Sequence, residues 1–378
     1  MKLGILTYHR VVNDGSLLQA YCGQKTLSAQ FPEAQVEIVD YCPAKLWRVE
    51  HRGVISRRPP FFRPWALRRV RNVKRFVKNH LVLSPEFCCT DDLQKAIQFI
   101  AEQNYDAIFV GSDTVWEARF SNYVPYAPNA YYLPRLKSAK KISYAASSDP
   151  IHSEFMSDNV RMKAVAGCLH DFDYITVRDK PTESYLQQLG VAKQDIHYLP
   201  DPTLQCDFSE LVQFPEVEKQ RPWAGVGFGG AVKSAAISQL KQHGFDIVDL
   251  ANKTLNNKPI PEARDSVGVR LGIYSMLDFL ITDRFHSSIF TLKLSGAPVL
   301  FVESAVKWPE PNSKGRDLFQ RLGIDSMVWR YEGQKISPHL IADYLNTWDG
   351  LKKRLKSRLD LLQHDAAKQT KKIRNFLV

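Results

Sequence analysis

Short apolar runs alternate along this chain with longer segments in which apolar residues recur every three or four positions. In the first half the runs are LGILTY, VEIVDY, DAIFVGSD, KKISYAASS and DYITVRD, and in the second half they are WAGVGFGG, FDIVDL, DFLITDR and PVLFVE. Near-continuous apolar runs of this length predict buried strands, and the 3.6-residue period between them predicts helices. The alternation therefore predicts an α/β fold with parallel sheets covered on both faces.

The strand and helix pattern begins anew after a polar stretch at 205–222 that contains Pro215 and Pro222. Because 378 residues exceed the usual size of one domain, we expect two doubly wound, Rossmann-like domains facing a cleft. The predicted boundaries are 1–205, 206–340 and 341–378. The last segment is predicted to be a basic helix that returns to the first domain.

The net charge of +11 is concentrated in two segments of the chain. Residues 52–78 contain ten Lys and Arg and no acid, and residues 351–374 contain nine against two Asp. Within a predicted helical insertion at 52–85, apolar residues at 66, 70, 73, 77 and 81 have helical spacing and basic residues surround them. Three interpretations stay open, namely contact of 62–81 and the C-terminal helix with an anionic membrane, contact with a polyanionic saccharide, or a solvated helix packed on the first domain.

A nucleic-acid partner is disfavoured, because the basic charge is confined to these segments and no nucleic-acid motif is present. The six cysteines are scattered without zinc spacing, which predicts reduced thiols and no metal site. No apolar run approaches the roughly 18 residues that span a bilayer, and the start of the chain does not resemble a signal peptide. We therefore expect a cytoplasmic protein, or one bound peripherally to the inner face of the membrane.

Candidate site residues follow from the predicted strands, because open parallel sheets bind ligands beyond the carboxyl ends of their strands. These positions are rich in cations, small residues and single acid or base groups, which indicates a site for a small anion. They are Tyr8–His9, Asn13–Ser16, Gly111–Asp113, Ala145–Ser148, Arg178, the 227–230 turn and Arg284–His286.

Several of these segments are motifs that resemble one protein family. TYHRVVNDGSLLQAYCGQKTL is similar to an N-G-x-x-L-Q opening, VGSDTVWE to a G-S-D-x-x-W element, and SYAASS to an S-Y-A-A-S strand end. ITVRDKPTESYLQQLG, PDPTL, TDRFHSSIFTLKLSGAPVLFV and KGRDLFQRLGI match later motifs in the same order. Together they resemble the polysaccharide pyruvyl transferase family from residue 3 to about 325. One departure is Asp14, which replaces the commoner aromatic residue and puts the acceptor side in doubt.

The resemblance implies a GT-B-like fold and transfer of a pyruvyl group from phosphoenolpyruvate to a sugar as a ketal. The sugar would belong to a bacterial cell-surface polysaccharide or its lipid-linked precursor. The first domain would bind this acceptor and the second would bind phosphoenolpyruvate, which is a donor substrate, so no further cofactor is expected. The acceptor sugar and the oligomeric state are left open.

The chemistry of phosphoenolpyruvate suggests roles for the candidate residues. Two anionic groups need fixed cations, and Arg178 and Arg284 offer bidentate guanidinium groups, with an N–H group at Ser287 if a helix starts there. His286 is predicted to contact phosphoenolpyruvate and to be its general acid. Asp113 is the predicted general base, with His9 as the alternative base. The predicted acceptor-binding residues are His9, Asn13, Gly15, Ser112 and Asp113.

Each assignment has a structural alternative. Arg178 could form a surface salt bridge with Asp179, Arg284 could pair with Asp283, Asp113 could cap a following helix, and His9 and His286 could be core residues. The 227–230 turn could cradle a phosphate or allow close packing, and Tyr131 and Tyr132 could stack on sugars or pack internally. The competing enzyme class is a nucleotide-sugar glycosyltransferase, although Arg316 and Asp317 lie where an E-x7-E pattern would be expected.

Overall fold

The computed structural model describes residues 1–53, 63–118, 125–148, 153–230 and 232–378. The chain divides into two compact units, which are described separately. Unit 1 contains Met1–Asp207 and Gln363–Val378, and unit 2 contains Phe208–Leu362.

The elements of unit 1 alternate between strands and helices. Its strands are β1 (Lys2–Leu6), β2 (Gln35–Ile38), β3 (Tyr41–Cys42), β4 (Cys88–Cys89), β5 (Ala107–Val110), β6 (Lys140–Ser143), β7 (Ile175–Val177) and β8 (Ile196–Tyr198). Its α-helices up to the division are α1 (Asp14–Gln30), α2 (Ala44–Trp47), α3 (Arg63–His80), α4 (Leu93–Glu102), α5 (Ser153–Ser157), α6 (Asn159–His170), α7 (Lys180–Gln188) and α8 (Pro202–Gln205).

The main sheet of unit 1 is parallel, with the strand order β2-β1-β5-β6. Parallel bridges continue it from β6 toward β7, which pairs with β8. The strands β1, β5 and β6 are almost wholly buried, as expected for a sheet that carries helices on both faces. This order brings the carboxyl ends of β1, β5, β6 and β7 to one edge of the sheet.

The elements of unit 2 repeat the same alternation. Its strands are β9 (Trp223–Gly227), β10 (Asp246–Asp249), β11 (Thr254–Leu255), β12 (Lys258–Pro259), β13 (Phe279–Thr282), β14 (Val299–Ser304) and β15 (Val328–Tyr331). The remaining α-helices of the chain are α9 (Val232–Gln242), α10 (Pro261–Asp265), α11 (Val267–Met276), α12 (Phe285–Leu294), α13 (Lys314–Arg321) and α14 (Leu340–Leu377).

The sheet of unit 2 has the order β12-β11-β10-β9-β13-β14-β15. Strands β10, β9, β13, β14 and β15 are parallel, while β11 and β12 extend one edge antiparallel. A separate apolar core lies on this sheet, formed by residues of β9, β13, β14 and α9. The prediction of an α/β fold with two Rossmann-like units is confirmed.

Two predicted helix starts are wrong by a few residues. The segment TDDLQKAIQFIAEQ predicts a helix with Thr90 as its N-cap, but Asp92 caps α4, because the Asp92 side chain accepts a hydrogen bond from the Lys95 N–H at 3.1 Å. Ser287 does not begin a helix, since α12 begins two residues earlier at Phe285. In both cases several residues that can cap a helix lie close together, so the sequence does not define which residue begins the first turn.

The basic helix of the predicted insertion is α3. Val70, Val73, Val77 and the following Leu81 are buried, as the apolar spacing predicted. Ala66 falls outside the described side chains, and residues 54–62 of the insertion lie outside the described part of the chain. Among the residues that the structure describes, no helix has both the length and the apolar character needed to cross a membrane.

Candidate active site

The turn after β5 packs closely against the end of β6 at a glycine, Gly111. Gly111 has a φ of +126°, and a Cβ atom there would lie 2.4 Å from the carbonyl oxygen of Tyr144. No other residue fits this space or this backbone conformation without strain. Asp113, two residues later, also has a left-handed φ of +77°. The turn therefore presents Ser112 and Asp113 in an unusual and closely packed arrangement at the sheet edge.

Asp113, the predicted general base, is held by two hydrogen bonds. Its Oδ2 accepts from the Ser16 hydroxyl of α1 at 2.5 Å, and its Oδ1 accepts from the Thr114 N–H at 2.8 Å. The structural alternative, a helix capped by Asp113, is wrong, because Ser112–Trp116 form bends and turns rather than a helix. The carboxylate is therefore buried and oriented, with each oxygen keeping lone-pair capacity beyond the one bond described here.

Ser112 connects three other elements of unit 1. Its Oγ donates to the carbonyl of Ala145 at 2.8 Å and accepts from the Gln19 amide at 2.9 Å. The Arg178 guanidinium approaches the same oxygen at 3.4 Å. A hydroxyl engaged in this way orients the side chains around it, so Ser112 contributes to the arrangement of α1, β6 and β7 as well as being a predicted acceptor-binding residue.

Arg178, predicted to bind phosphoenolpyruvate, is buried among carboxylates. Its Nη1 donates to Asp201 Oδ2 at 2.7 Å, and its Nε lies 3.7 Å from Asp179 Oδ2. Burial lowers the pKa of this guanidinium, but Asp201, Asp113 and Asp179 outweigh burial and raise the pKa above its usual value. The alternative of a surface salt bridge with Asp179 is wrong, since only 5% of Arg178 is exposed. The positive charge of Arg178 is already neutralised by carboxylates within unit 1.

Asp201 joins this buried cluster to α8. Its Oδ1 accepts from the backbone N–H of Thr203 at 3.0 Å and so caps the helix, while its Oδ2 also accepts from the Gln19 amide at 2.7 Å. One carboxylate thus serves as helix cap and as partner of a buried cation. We call Ser16, Gln19, Ser112, Asp113, Arg178 and Asp201 the unit 1 polar cluster.

His9 belongs to a different group at the end of β1. Its Nε2 lies 2.9 Å from Asp40 Oδ1 and its Nδ1 lies 3.1 Å from the Thr7 carbonyl, so both ring nitrogens face acceptors. Arg10 forms a bidentate pair with the same Asp40. Burial raises the pKa of Asp40, but hydrogen bonds from Arg10 and His9 outweigh burial and hold that pKa below its usual value. Because both nitrogens are engaged with protein oxygens, a base role for His9 would require this group to rearrange.

The other predicted acceptor-binding residues lie at the start of α1. Asn13 is exposed and caps the helix, because its side-chain oxygen accepts from the Gly15 N–H at 3.0 Å. Gly15 is buried in the first turn. The same turn carries Ser16, which contacts Asp113, so the α1 start and the turn after β5 meet at one edge of the unit 1 sheet.

The predicted phosphoenolpyruvate residues of unit 2 follow β13 directly. Arg284 occupies the N-cap position of α12, with 74% of its side chain exposed and its Nε 3.1 Å from Asp283 Oδ1. His286 is half-buried, with its ring stacked on Phe290 at 6.0 Å between centroids. Ser287 is buried and shares a hydrogen bond of 2.9 Å with the Tyr274 hydroxyl. An exposed cation and an imidazole thus flank the N-terminal end of one helix.

The glycine turn of unit 2 has two parts with different roles. A Cβ at Gly227 would lie 2.6 Å from Thr282 Oγ1, so this glycine serves close packing between β9 and β13. At Gly229 and Gly230 a Cβ would meet nothing within 4 Å. The packing interpretation therefore holds for Gly227 and does not account for the other two.

Two further predictions concern aromatic and nucleotide-binding side chains. Tyr131 and Tyr132 are at most 1% exposed, so of the two alternatives the structure supports internal packing. Arg316 binds Glu303 Oε2 at 2.7 Å, and Asp317 accepts from Arg321 at 2.9 Å. These two residues are engaged inside unit 2. In the described part of the chain, no group of three or more His, Cys, Asp or Glu side chains is arranged to hold a metal.

The sequence interpretation missed several members of these groups. Asp40 follows an apolar strand just as Asp113 does, so the strand-end rule that selected Asp113 would also have selected it. Ser16 is among the predicted site positions but Gln19 is not, although Gln19 lies three residues later on the same face of α1, and this spacing is the signal that could have found it. Nothing local indicated that Gln19 reaches Asp201, 182 residues further along the chain.

Solved structures of similar fold cover almost the whole of this chain. The glycotransferase of kitacinnamycin is similar over 100% of this chain and 99% of its own, with 10% identity and a TM-score of 0.53. Spinosyn rhamnosyltransferase SpnG (13% identity, 97% and 96% covered, TM-score 0.47) and UDP-GlcNAc 2-epimerase from Methanocaldococcus jannaschii (10% identity, 96% and 93% covered, TM-score 0.45) are also similar. Among curated proteins no sequence matches significantly. At this level of identity the likeness concerns the fold alone, which is GT-B-like.

A sequence model of one family matches most of the chain. The family is described as polysaccharide pyruvyl transferase, and the match extends over residues 13–304. It includes the α1 start, the unit 1 polar cluster and the Arg284–Phe285–His286 segment. The chain therefore belongs to the polysaccharide pyruvyl transferase family.

Proposed function

We propose that this transferase moves the enolpyruvate-derived group of phosphoenolpyruvate onto a sugar of a cell-surface polysaccharide or its lipid-linked precursor, forming a pyruvate ketal. The observation that carries the proposal is the opening of α12, where an exposed Arg284 and a half-buried His286 flank a helix N-terminus. Fixed cations and helix N-terminal N–H groups are the features that bind carboxylate and phosphate. Family membership supports the same donor.

In the proposed reaction His286 donates a proton to the methylene carbon of phosphoenolpyruvate. The neighbouring carbon becomes cationic, and a sugar hydroxyl attacks it while Asp113 accepts the hydroxyl proton. The carbon–oxygen bond to phosphate then breaks, phosphate leaves, and a second hydroxyl of the same sugar closes the ketal with loss of its proton. A bound phosphate would favour the protonated imidazole that the first step requires. Phosphoenolpyruvate is consumed as a substrate, and no resident cofactor is proposed.

The residues divide into two sets in this proposal. Arg284 and the first-turn N–H group at Ser287 hold the donor, whereas Arg178 would have to release a carboxylate partner in unit 1 before it could bind the same anion. Ser112 and Asp113, with Asn13, Gly15 and His9 at the end of β1, form the acceptor side. Ser16 and Thr114 support this assignment for Asp113, because their hydrogen bonds fix its carboxylate before the substrate arrives.

The test is thermal denaturation with and without millimolar phosphoenolpyruvate, with UDP and GDP as controls. A ligand that binds only the folded state raises the midpoint as its concentration increases. We expect a shift with phosphoenolpyruvate that is lost in Arg284→Ala and retained in Lys258→Ala, a matched exposed cation on β12 of the same unit. Because most of the Arg284 side chain is exposed, its truncation should leave the packing intact.

The outcomes separate donor binding from chemistry. His286→Ala should keep the shift but lower turnover by about 100-fold or more, as expected for loss of a general acid. A midpoint that responds to UDP or GDP alone would favour the nucleotide-sugar glycosyltransferase instead. No response to any of the three ligands would remove the support for phosphoenolpyruvate as donor.

A further inference from the structure

Helix α3 presents a continuous basic face to solvent. It has 18 residues, and its sequence RPWALRRVRNVKRFVKNH contains no acid. The described side chains of Arg68, Arg71, Lys74, Arg75 and Lys78 are all exposed. Separations of three and four residues place these cations along one side of the helix, over a length of about 15 Å.

The opposite face of α3 is committed to unit 1. Val70, Val73, Phe76 and Val77 are at most 8% exposed, and the Phe76 ring packs edge-on against Tyr21 of α1. Arg69 anchors the same side by donating to the Val12 carbonyl at 3.2 Å. These four apolar residues are therefore used for docking the helix onto the protein. They are not available for insertion into a lipid bilayer, and any contact made by the outer face must be mainly electrostatic.

We propose that the outer face of α3 binds the surface of an anionic lipid bilayer. The argument is charge complementarity, since five exposed cations without a neighbouring acid on the helix match a layer of anionic headgroups. Two apolar side chains flank the basic row, with Leu67 41% exposed near its beginning and Val82 59% exposed just beyond the helix end. Apolar groups beside a basic row favour a headgroup interface over a soluble polyanion such as a polysaccharide, which offers no apolar layer.

This inference extends the proposed function, because an acceptor carried on a lipid would be found at that surface. It does not depend on the transfer chemistry, however. Vesicle binding can be measured with the full chain in the absence of phosphoenolpyruvate and acceptor. Failure of one proposal is therefore distinguishable from failure of the other.

The experiment is flotation of the full chain with phosphatidylcholine vesicles, with and without phosphatidylserine. We expect binding only to the vesicles with phosphatidylserine, and loss of that binding at about 0.5 M salt, where the Debye length falls below half its value at 0.1 M. The double variant Arg71→Gln and Lys78→Gln should bind about 25-fold more weakly, because each of the two cations contributes a factor of about five. The matched control is Lys163→Gln with Lys193→Gln, which removes the same charge from exposed positions elsewhere on unit 1.

Three results would overturn the proposal. Equal binding to both kinds of vesicle would mean that headgroup charge is not recognised. An equal loss in the control pair would mean that only the overall net charge matters. Binding to dextran sulfate without binding to phosphatidylserine vesicles would assign the basic face to a saccharide polyanion.

Discussion

Replacing Asp201 by asparagine should destabilise unit 1 far more than the small change in shape suggests. The Oδ2 atom of Asp201 accepts hydrogen bonds from Arg178 and from Gln19, each at 2.7 Å. In Asp201→Asn an amide NH2 would face these two donors, or, after rotation, would lose the cap on α8 at Thr203. Either orientation leaves a buried guanidinium without its main counter-charge.

The magnitude follows from the burial of the pair. Arg178 Nη1 and Asp201 Oδ2 belong to side chains that are 3% and 0% exposed, so solvent cannot replace the lost partner. Removing one member of such a buried pair costs about 3–5 kcal/mol. Lys137, by contrast, is 76% exposed in its pair with Asp171, and Lys137→Met should cost less than about 1 kcal/mol.

The assay is urea denaturation, with stability read from the midpoint at unchanged slope. The double variant Arg178→Met with Asp201→Asn should cost less than the sum of the two single variants, because the second substitution removes the charge that the first leaves unpaired. A loss below about 1 kcal/mol in Asp201→Asn, or additive costs in the double variant, would refute the view of Arg178 as a compensated buried cation.

Two further predictions concern stability. Gly111→Ala should lower the free energy of unfolding by more than about 3 kcal/mol, because it adds a Cβ 2.4 Å from a backbone carbonyl oxygen at a φ of +126°. Gly23→Ala in α1, where a Cβ meets nothing within 4 Å, should leave the free energy of unfolding unchanged or raise it by up to about 1 kcal/mol. Similar urea midpoints for the two variants would contradict this reasoning. Burial lowers the pKa of His51 from its ordinary 6.5 to about 4, so between these values the unfolded chain binds a proton that the folded chain does not, and stability falls as the pH falls from about 6.5 to 4. The free energy of unfolding of the wild type, relative to that of His51→Phe, should therefore fall as the pH is lowered from about 6.5 to 4. A difference between the two proteins that stays constant with pH would disprove the lowered pKa of His51.

The strand-end rule worked in this chain because it depends only on where apolar runs stop. It located Asp113, Arg178 and Arg284 at the carboxyl ends of β5, β7 and β13 without knowledge of strand order. It could not indicate which of these residues would be buried with partners. Arg178 and Arg284 look alike in the sequence, yet one is 5% exposed among carboxylates and the other extends into solvent with 74% of its side chain exposed.

That difference arises from contacts between distant parts of the chain. In the sheet order β2-β1-β5-β6, β1 lies between β2, which is the next strand in the sequence, and β5, which is not. Ser16 therefore contacts Asp113, 97 residues away in the sequence, and His9 contacts Asp40, 31 residues away. Asp201 comes from the PDPTL motif, 23 residues after Arg178 in the chain. Patterns in a local window carry no information on these distances, which are set by packing of the whole unit.

The family motifs contain residues of two kinds, some needed for the structure and others able to contact a ligand. In the G-S-D-x-x-W element, Gly111 is required by the backbone and Trp116 is fully buried, stacked on Tyr132. Such residues maintain the shape of the sheet edge and would be retained whichever sugar is bound. Under the proposed function, the choice of acceptor depends on side chains that can reach a ligand, such as the exposed Asn13 beside Asp14, where this chain departs from the family pattern. Exchanging Asp14 for an aromatic residue should therefore alter acceptor preference while leaving the buried cluster, and with it the stability of unit 1, unchanged.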